Sequence, residues 1–136
     1  MQYAMNTLSA IPIQTPMIDG ILNGHKVWEI RSKFTKKIGH VALIRTKSGT
    51  VVGTANLAEV IPLNPKLAYE NTAKMGFRPL SMDEAKELDG MFAWVLKDVV
   101  KFKTPVPYKH PSGAVTWVTL DEATTKRVLE EEKRSK

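Results

Sequence analysis

Residues 23-NGHKVWEIRS-32 join a glycine turn, a lysine and a run that alternates like a strand. In a strand over 27–31, Val27, Glu29 and Arg31 share one side and Trp28 and Ile30 the other, because successive side chains point to opposite faces. Trp28 and Ile30 read as core. Glu29 and Arg31 then form a charged pair on the opposite side, with Lys26 at the strand's mouth. On spacing alone the simpler account is a solvated ion pair, which contributes little. The functional account is a pocket. Lys26 and Arg31 can hold a phosphate or a carbonyl oxygen, and Glu29 can accept hydrogen bonds from a base edge. Lys26 can also act as base or nucleophile where a dry pocket lowers its pKa.

Outward from this stretch, the sequence predicts short helices between strands. A first short strand is expected at 5–10. Thr15 followed by Pro16 reads as an N-cap with proline at the first helical position. Met17, Ile18, Ile21 and Leu22 then fall at helical spacing, and Gly24 ends that helix. A strand HVALIRT follows Gly39, Ser48-Gly49 marks a hairpin turn, and TVVGTANLAEVI returns with a bulge or bend at Gly53. Asn64-Pro65 opens a short helix. Ser81 and Glu84 form a capping-box pattern for SMDEAKEL, which Gly90 stops. FAWVLKDVVKF is expected as a buried strand, TPVPYKHPSG as a proline-rigid loop and AVTWVTL as another strand. Thr119 and Glu122 suggest a second capping box for a final helix at about 121–132. The polar end EEEKRSK reads as a disordered tip. The whole is α+β, with five or six strands in a small, partly closed barrel flanked by short helices.

The chain has 136 residues, for which one domain is the default. It carries 20 Lys+Arg against 14 Asp+Glu and no cysteine. The missing cysteine excludes disulfides and thiolate metal sites and suits a reducing cytoplasm. No signal peptide is read at the start, and no apolar run approaches the roughly 18 residues of a membrane span. The positive charge is unevenly spread. From Ile30 to Ala58 there is no acid, while Arg31, Lys33, Lys36, Lys37, Arg45 and Lys47 fall there. A second acid-free span, Val99 to Leu120, holds Lys101, Lys103, Lys109 and His110. If the two are neighbours in space, they form one positive surface suited to polyanions, nucleic acid first. The bland alternative is solubility.

Most catalytic signatures are missing. His25, His40 and His110 are scattered, with no H-x-x-x-H pair, and neither a phosphate loop nor a G-x-S-x-G elbow occurs. No metal and no cofactor are expected. A second candidate site is 107-PYKHPSG-113, where Tyr108 can stack on a base, Lys109 meet a phosphate and His110 serve as acid or base. A rigid turn with a half-buried tyrosine explains it equally.

The order of these segments resembles the ASCH domain, a branch of the PUA-like superfamily, in its stand-alone form. The pattern G-x-K-x-x-E-x-R is carried by Gly24, Lys26, Glu29 and Arg31, after an apolar helix and before a basic loop and HVALIRT. VVGTANLAEVIPL and FAWVLKDVVKFKTPVPYKHPSGAVTWVTL resemble later strands of that domain. The likeness covers roughly residues 7 to 120, with a helical insertion-like segment at about 64–89. It implies a small β-barrel with a cleft beside the G-x-K turn, and RNA-linked work. Some stand-alone members are linked to cleavage of single-stranded RNA. Shorter ones are amidohydrolases that deacylate N4-acetylcytidine, using the lysine of G-x-K, a threonine three residues on and a later glutamate. Lys26 matches the lysine, but Glu29 stands where the threonine would be, and the later glutamate has no clear counterpart among Glu70, Glu84 and Glu87. The expected function is therefore RNA binding, with metal-independent cleavage by Lys26 and Glu29 as its possible chemistry, and nucleoside deacylation as the alternative. An adaptor using the acidic helix at 121–132 to meet another protein ranks last.

Overall fold

The computed structural model describes residues 7–136. A mixed sheet of six strands runs in the order β2-β5-β4-β3-β1-β6. The strands are β1 (Ser9–Ile13), β2 (Trp28–Arg31), β3 (Gly39–Arg45), β4 (Thr50–Pro62), β5 (Phe92–Pro107) and β6 (Val118–Thr119). Helix α1 (Met17–Leu22) connects β1 to β2, α2 (Pro65–Glu70) and α3 (Met82–Lys86) lie between β4 and β5, and α4 (Glu122–Ser135) ends the chain. Among the described residues β1 and β3 pair in parallel, and the other neighbouring pairs are antiparallel.

The period-2 alternation divides the core. On the concave side Ile11, Ile13, Val41, Leu43, Trp94 and Leu96 pack with Ile18 and Ile21 of α1. Neighbouring residues face the other way. Ala10, Ala42, Ile44, Phe102 and Val118 meet Val128 of α4. Trp28, Ile30, Ala93 and Val95 meet Leu63, Ala68, Met75 and Ala85 of the helical block. The core roles expected for Trp28 and Ile30 are thus observed, and Glu29 and Arg31 turn into the concave side.

The sheet curls but is not closed. β2 and β6, its two edges, are four and two residues long and do not pair with each other. What spans the opening is a side chain: Arg31 Nη2 donates to the Pro12 carbonyl at 2.6 Å, linking β2 to β1. Of the partly closed barrel expected from sequence, the α+β fold and its six-stranded sheet are observed, with the sheet open here and bridged by this latch.

Local signals hold in the middle of the chain. Asn64 caps α2 through Leu67 N at 2.8 Å, and Ser81 and Glu84 form the reciprocal capping box of α3. The ladder between β4 and β5 shifts register between Val51 and Gly53. A Cβ at Gly53 would lie 2.5 Å from the Val100 carbonyl oxygen, so glycine is what lets β5 approach there.

Other expectations are corrected. Of the first strand, residues 5 and 6 lie outside the described residues, and β1 extends to Ile13. Pro16 occupies the N-cap of α1, and the Thr15 hydroxyl instead accepts from Arg45 Nη1 at 2.8 Å. Residues 104–107 belong to β5, not to a loop. β2 stops short of this end of β5, so prolines 105 and 107 stand where the strand has no second neighbour. Only two residues of AVTWVTL pair with β1, because Trp117 turns to stack on Trp94 at 5.5 Å between ring centroids. The last helix is capped by Asp121, which accepts from Thr124 N at 2.7 Å, not by Thr119. Its polar end is folded: Glu131, only 2% exposed, accepts from Thr104 N at 3.0 Å and Ser135 Oγ at 2.8 Å. Among the described residues no helix is long and apolar enough to cross a membrane.

Candidate nucleic-acid interface

The G-x-K turn buries its lysine. Gly24, at φ +86°, and Lys26 N, donating to the Gly20 carbonyl at 3.0 Å, fold the chain back over α1. The Lys26 stem lies against two glycines. A Cβ at Gly20 or Gly76 would come within 3.3 and 3.1 Å of Lys26 Cβ. Lys26 is 4% exposed, and its Nζ donates to the carbonyls of Trp28 at 2.8 Å and Met75 at 3.0 Å. Glu29 Oε1 stands 3.6 Å away, and the Phe77 ring 5.5 Å. Burial pulls the Lys26 pKa below the usual lysine value, with Glu29 opposing the shift.

Glu29 links this lysine to Arg31. Its Oε2 accepts from Arg31 Nε at 3.1 Å. With Nε on Glu29 and Nη2 on Pro12, Nη1 is the guanidinium nitrogen with no partner among the described residues. The guanidinium lies 5.4 Å from the Trp94 ring, Trp94 stacks on Trp117, and Lys37 Nζ stands 5.1 Å over Trp117. This cation–aromatic ladder fixes Arg31 from behind. The pair is not the solvated one that spacing alone suggested: Glu29 is 8% exposed and sits between two cations.

A cleft of about 760 Å³ opens in front of Glu29 and Arg31. The turn between β3 and β4 contributes Lys47, and the loop after β5 contributes Tyr108 and His110. Tyr108 and His110 hold each other. His110 Nε2 lies 2.8 Å from the Ala114 carbonyl, which can only accept, so Nε2 carries the proton. The Tyr108 hydroxyl and His110 Nδ1 make the second bond of the pair, at 2.7 Å. Burial raises the Tyr108 pKa and keeps that hydroxyl a donor.

Of the residues singled out in sequence, Glu29, Arg31, Lys47, Tyr108 and His110 share this cleft. Lys26 lies behind Glu29 and borders a separate groove of about 660 Å³ with Lys74 and Lys97. Lys33, Lys36 and Lys37 occupy the exposed loop between β2 and β3. Lys109 faces a neighbouring hollow with Pro111 and Asp121. Arg45 is turned to Asp19, with Nη2 to Oδ1 at 2.7 Å. Sequence reasoning missed Gln14 and Met17 on the cleft wall and Trp94 beneath Arg31. Nothing local marks the first two, and Trp94 read only as part of a buried strand. Among the described residues no group of three His, Asp or Glu side chains stands as metal ligands would.

A second polar cluster anchors α4. Glu132 Oε2 meets the buried Thr54 hydroxyl and His40 Nε2, the latter at 2.6 Å. Burial pushes the Glu132 carboxyl up, but the Thr54 and His40 bonds outweigh it and hold the group below its usual value. A carboxylate with a depressed folded pKa contributes stability above its unfolded value. That contribution is lost as pH falls through the folded pKa. Chemical unfolding should therefore show stability falling below about pH 4.5, and Glu132→Gln should make this fall shallower. An unchanged acid slope in the variant would show that the cluster does not anchor the helix.

A curled mixed sheet with a helical block on one face and a charged cleft at its opening defines an α+β protein. The profile of the ASCH domain matches residues 11–106, and the chain belongs to the ASCH domain family. Its fold is similar to that of the ASCH protein from Zymomonas mobilis. The TM-score is 0.64 at 15% identity, over 92% of this chain and 95% of that one. A substituted form of the same protein gives 0.65 at 16% identity, over 90% and 94%. At such identity the likeness concerns the fold. Among curated proteins none matches.

Proposed function

We propose that this domain binds single-stranded RNA and seats one nucleotide in the cleft between β2, the β3–β4 turn and the loop after β5. The observation that carries this reading is the Glu29–Arg31 pair, buried at its base and opening toward Lys47, Tyr108 and His110. Arg31 Nη1 and Lys47 meet phosphate, Glu29 accepts from a base edge, and the Tyr108 ring packs on the base. Lys26 acts from behind, as the charge that orients Glu29. Membership in a family associated with RNA binding supports this, as does the acid-free span from Ile30 to Ala58.

The Glu29 carboxylate on this cleft can take the proton of a ribose 2′-hydroxyl as that oxygen attacks the neighbouring phosphorus and the 5′-oxygen of the next nucleotide leaves with a proton from water, so chelator-resistant cleavage of the bound strand is the accompanying chemistry. Affinity for labelled single-stranded RNA should fall with salt by about 0.7 in log–log slope per phosphate neutralised. Glu29→Gln should lower cleavage by about 10²–10⁴-fold, well beyond any loss of binding. No binding at low salt would refute the reading, and full cleavage by the variant would remove Glu29 from the chemistry.

A second reading, deacylation of N4-acetylcytidine, draws on the Lys26–Glu29 approach at 3.6 Å, which brings a lysine beside a polar residue three positions on. The bonds from Lys26 Nζ to two main-chain carbonyls weigh against it. Turnover of free N4-acetylcytidine would favour it over RNA cleavage.

A further inference from the structure

The loop between β2 and β3 presents a feature that the cleft does not use. Phe34 is 55% exposed and Ile38 63%, within the run Lys33-Phe34-Thr35-Lys36-Lys37-Ile38. The loop is held in place. Trp94 Nε1 donates to the Lys33 carbonyl at 3.0 Å, and Lys37 N to the Thr35 hydroxyl at 3.1 Å. The Phe34 ring meets Phe92 edge to face at 5.8 Å, so one aromatic side chain is mounted firmly while most of its surface stays open. The ammonium groups of Lys33 and Lys36 form no ion pair among the described residues. The mount is continuous with the cleft: the loop leaves its wall at Ser32, and Phe92 follows Met91, another lining residue.

We propose that Phe34 is a stacking platform for the base next to the one in the cleft, with Lys33 and Lys36 on the flanking phosphates. This deepens the RNA reading and rests on it. It defines the ligand as an oligonucleotide that runs from the cleft across the loop, not a free nucleoside. An aromatic face among unpaired cations matches a polyanion whose every repeat carries a π face, and stacking of this kind tolerates any base. A bilayer would call for several insertable apolar side chains side by side, whereas lysines separate Phe34 from Ile38 here.

The test compares a single-stranded RNA octamer with cytidine monophosphate, for wild type and for Phe34→Ala, Phe34→Leu and Phe34→Trp. Phe34→Ala should weaken octamer binding by about 5- to 100-fold and leave the mononucleotide unchanged. Phe34→Leu, which keeps an apolar side chain on Phe92, should lose as much, and Phe34→Trp should restore binding. Thermal unfolding of each variant checks that the fold is intact. Undiminished octamer binding by Phe34→Ala, or equal loss for both ligands, overturns the platform while the cleft reading stands. A wild type that binds neither RNA overturns both. Binding of the wild type, but not Phe34→Ala, to phosphatidylserine vesicles with no effect on RNA would assign the loop to a membrane surface and overturn the proposal.

Discussion

Lys26→Met is expected to lower the free energy of unfolding by about 3 kcal/mol, measured by urea denaturation. Removing one partner of a buried charge pair costs about 3–5 kcal/mol. Here the loss falls at the low end for two reasons. Arg31 Nε still holds Glu29 at 3.1 Å, and methionine avoids the desolvation that depresses the Lys26 pKa. What remains is the loss of a donor for two carbonyls, Trp28 and Met75, in a site closed by Gly20 and Gly76. Because the β2 strand and the helical block share this lysine, the variant should also loosen Glu29 and lower RNA affinity. A fully stable Lys26→Met that has lost all activity would contradict this account and return Lys26 to a direct chemical role.

Arg31→Lys is expected to weaken single-stranded RNA binding by roughly thirtyfold, about 2 kcal/mol, with little change in salt slope. The charge survives the substitution. The planar fork does not: one ammonium cannot serve Glu29, the Pro12 carbonyl and a ligand from the same rigid plane. Losing the bond to Pro12 also opens the latch between β2 and β1, so stability should fall by about 1.5–2 kcal/mol. Lys36→Ala offers the contrast: it should reduce the slope by about 0.7 and leave the fold untouched. If both variants behave alike, Arg31 contributes charge alone and the geometric argument fails.

Much of the local structure could be read from sequence, because each signal acts within a few residues. The Ser81–Glu84 box, the Asn64 cap, the turn at Ser48-Gly49 and the bulge at Gly53 all belong to this kind. The strand order could not be read, since it depends on which hydrophobic faces meet. Nothing in 28–31 says that β2 joins β5, or that β1 lies parallel to β3. The same limit explains the failures at the end of the chain. Residues 104–107 looked like a loop because of their prolines, but an unpaired strand side tolerates them. Glu131 and Glu132 looked like a solvated tail. Glu131 is buried and Glu132 partly buried because a backbone donor of β5 and the hydroxyl of Thr54 await them from distant segments. At the site, the alternation of 27–31 separated Glu29 and Arg31 from Trp28 and Ile30. The burial of that pair, and its support by Trp94, came only with the curl of the sheet.

The most direct measurement of the central claim is an amide-shift titration of the labelled protein with a single-stranded RNA octamer. Shifts should cluster at residues 29–34, at 46–49 and at 108–115, the segments that border the cleft and the adjoining loop. Shifts confined to the groove bordered by Lys26, Lys74 and Lys97, or to α4, with the cleft silent at saturation, would contradict the account.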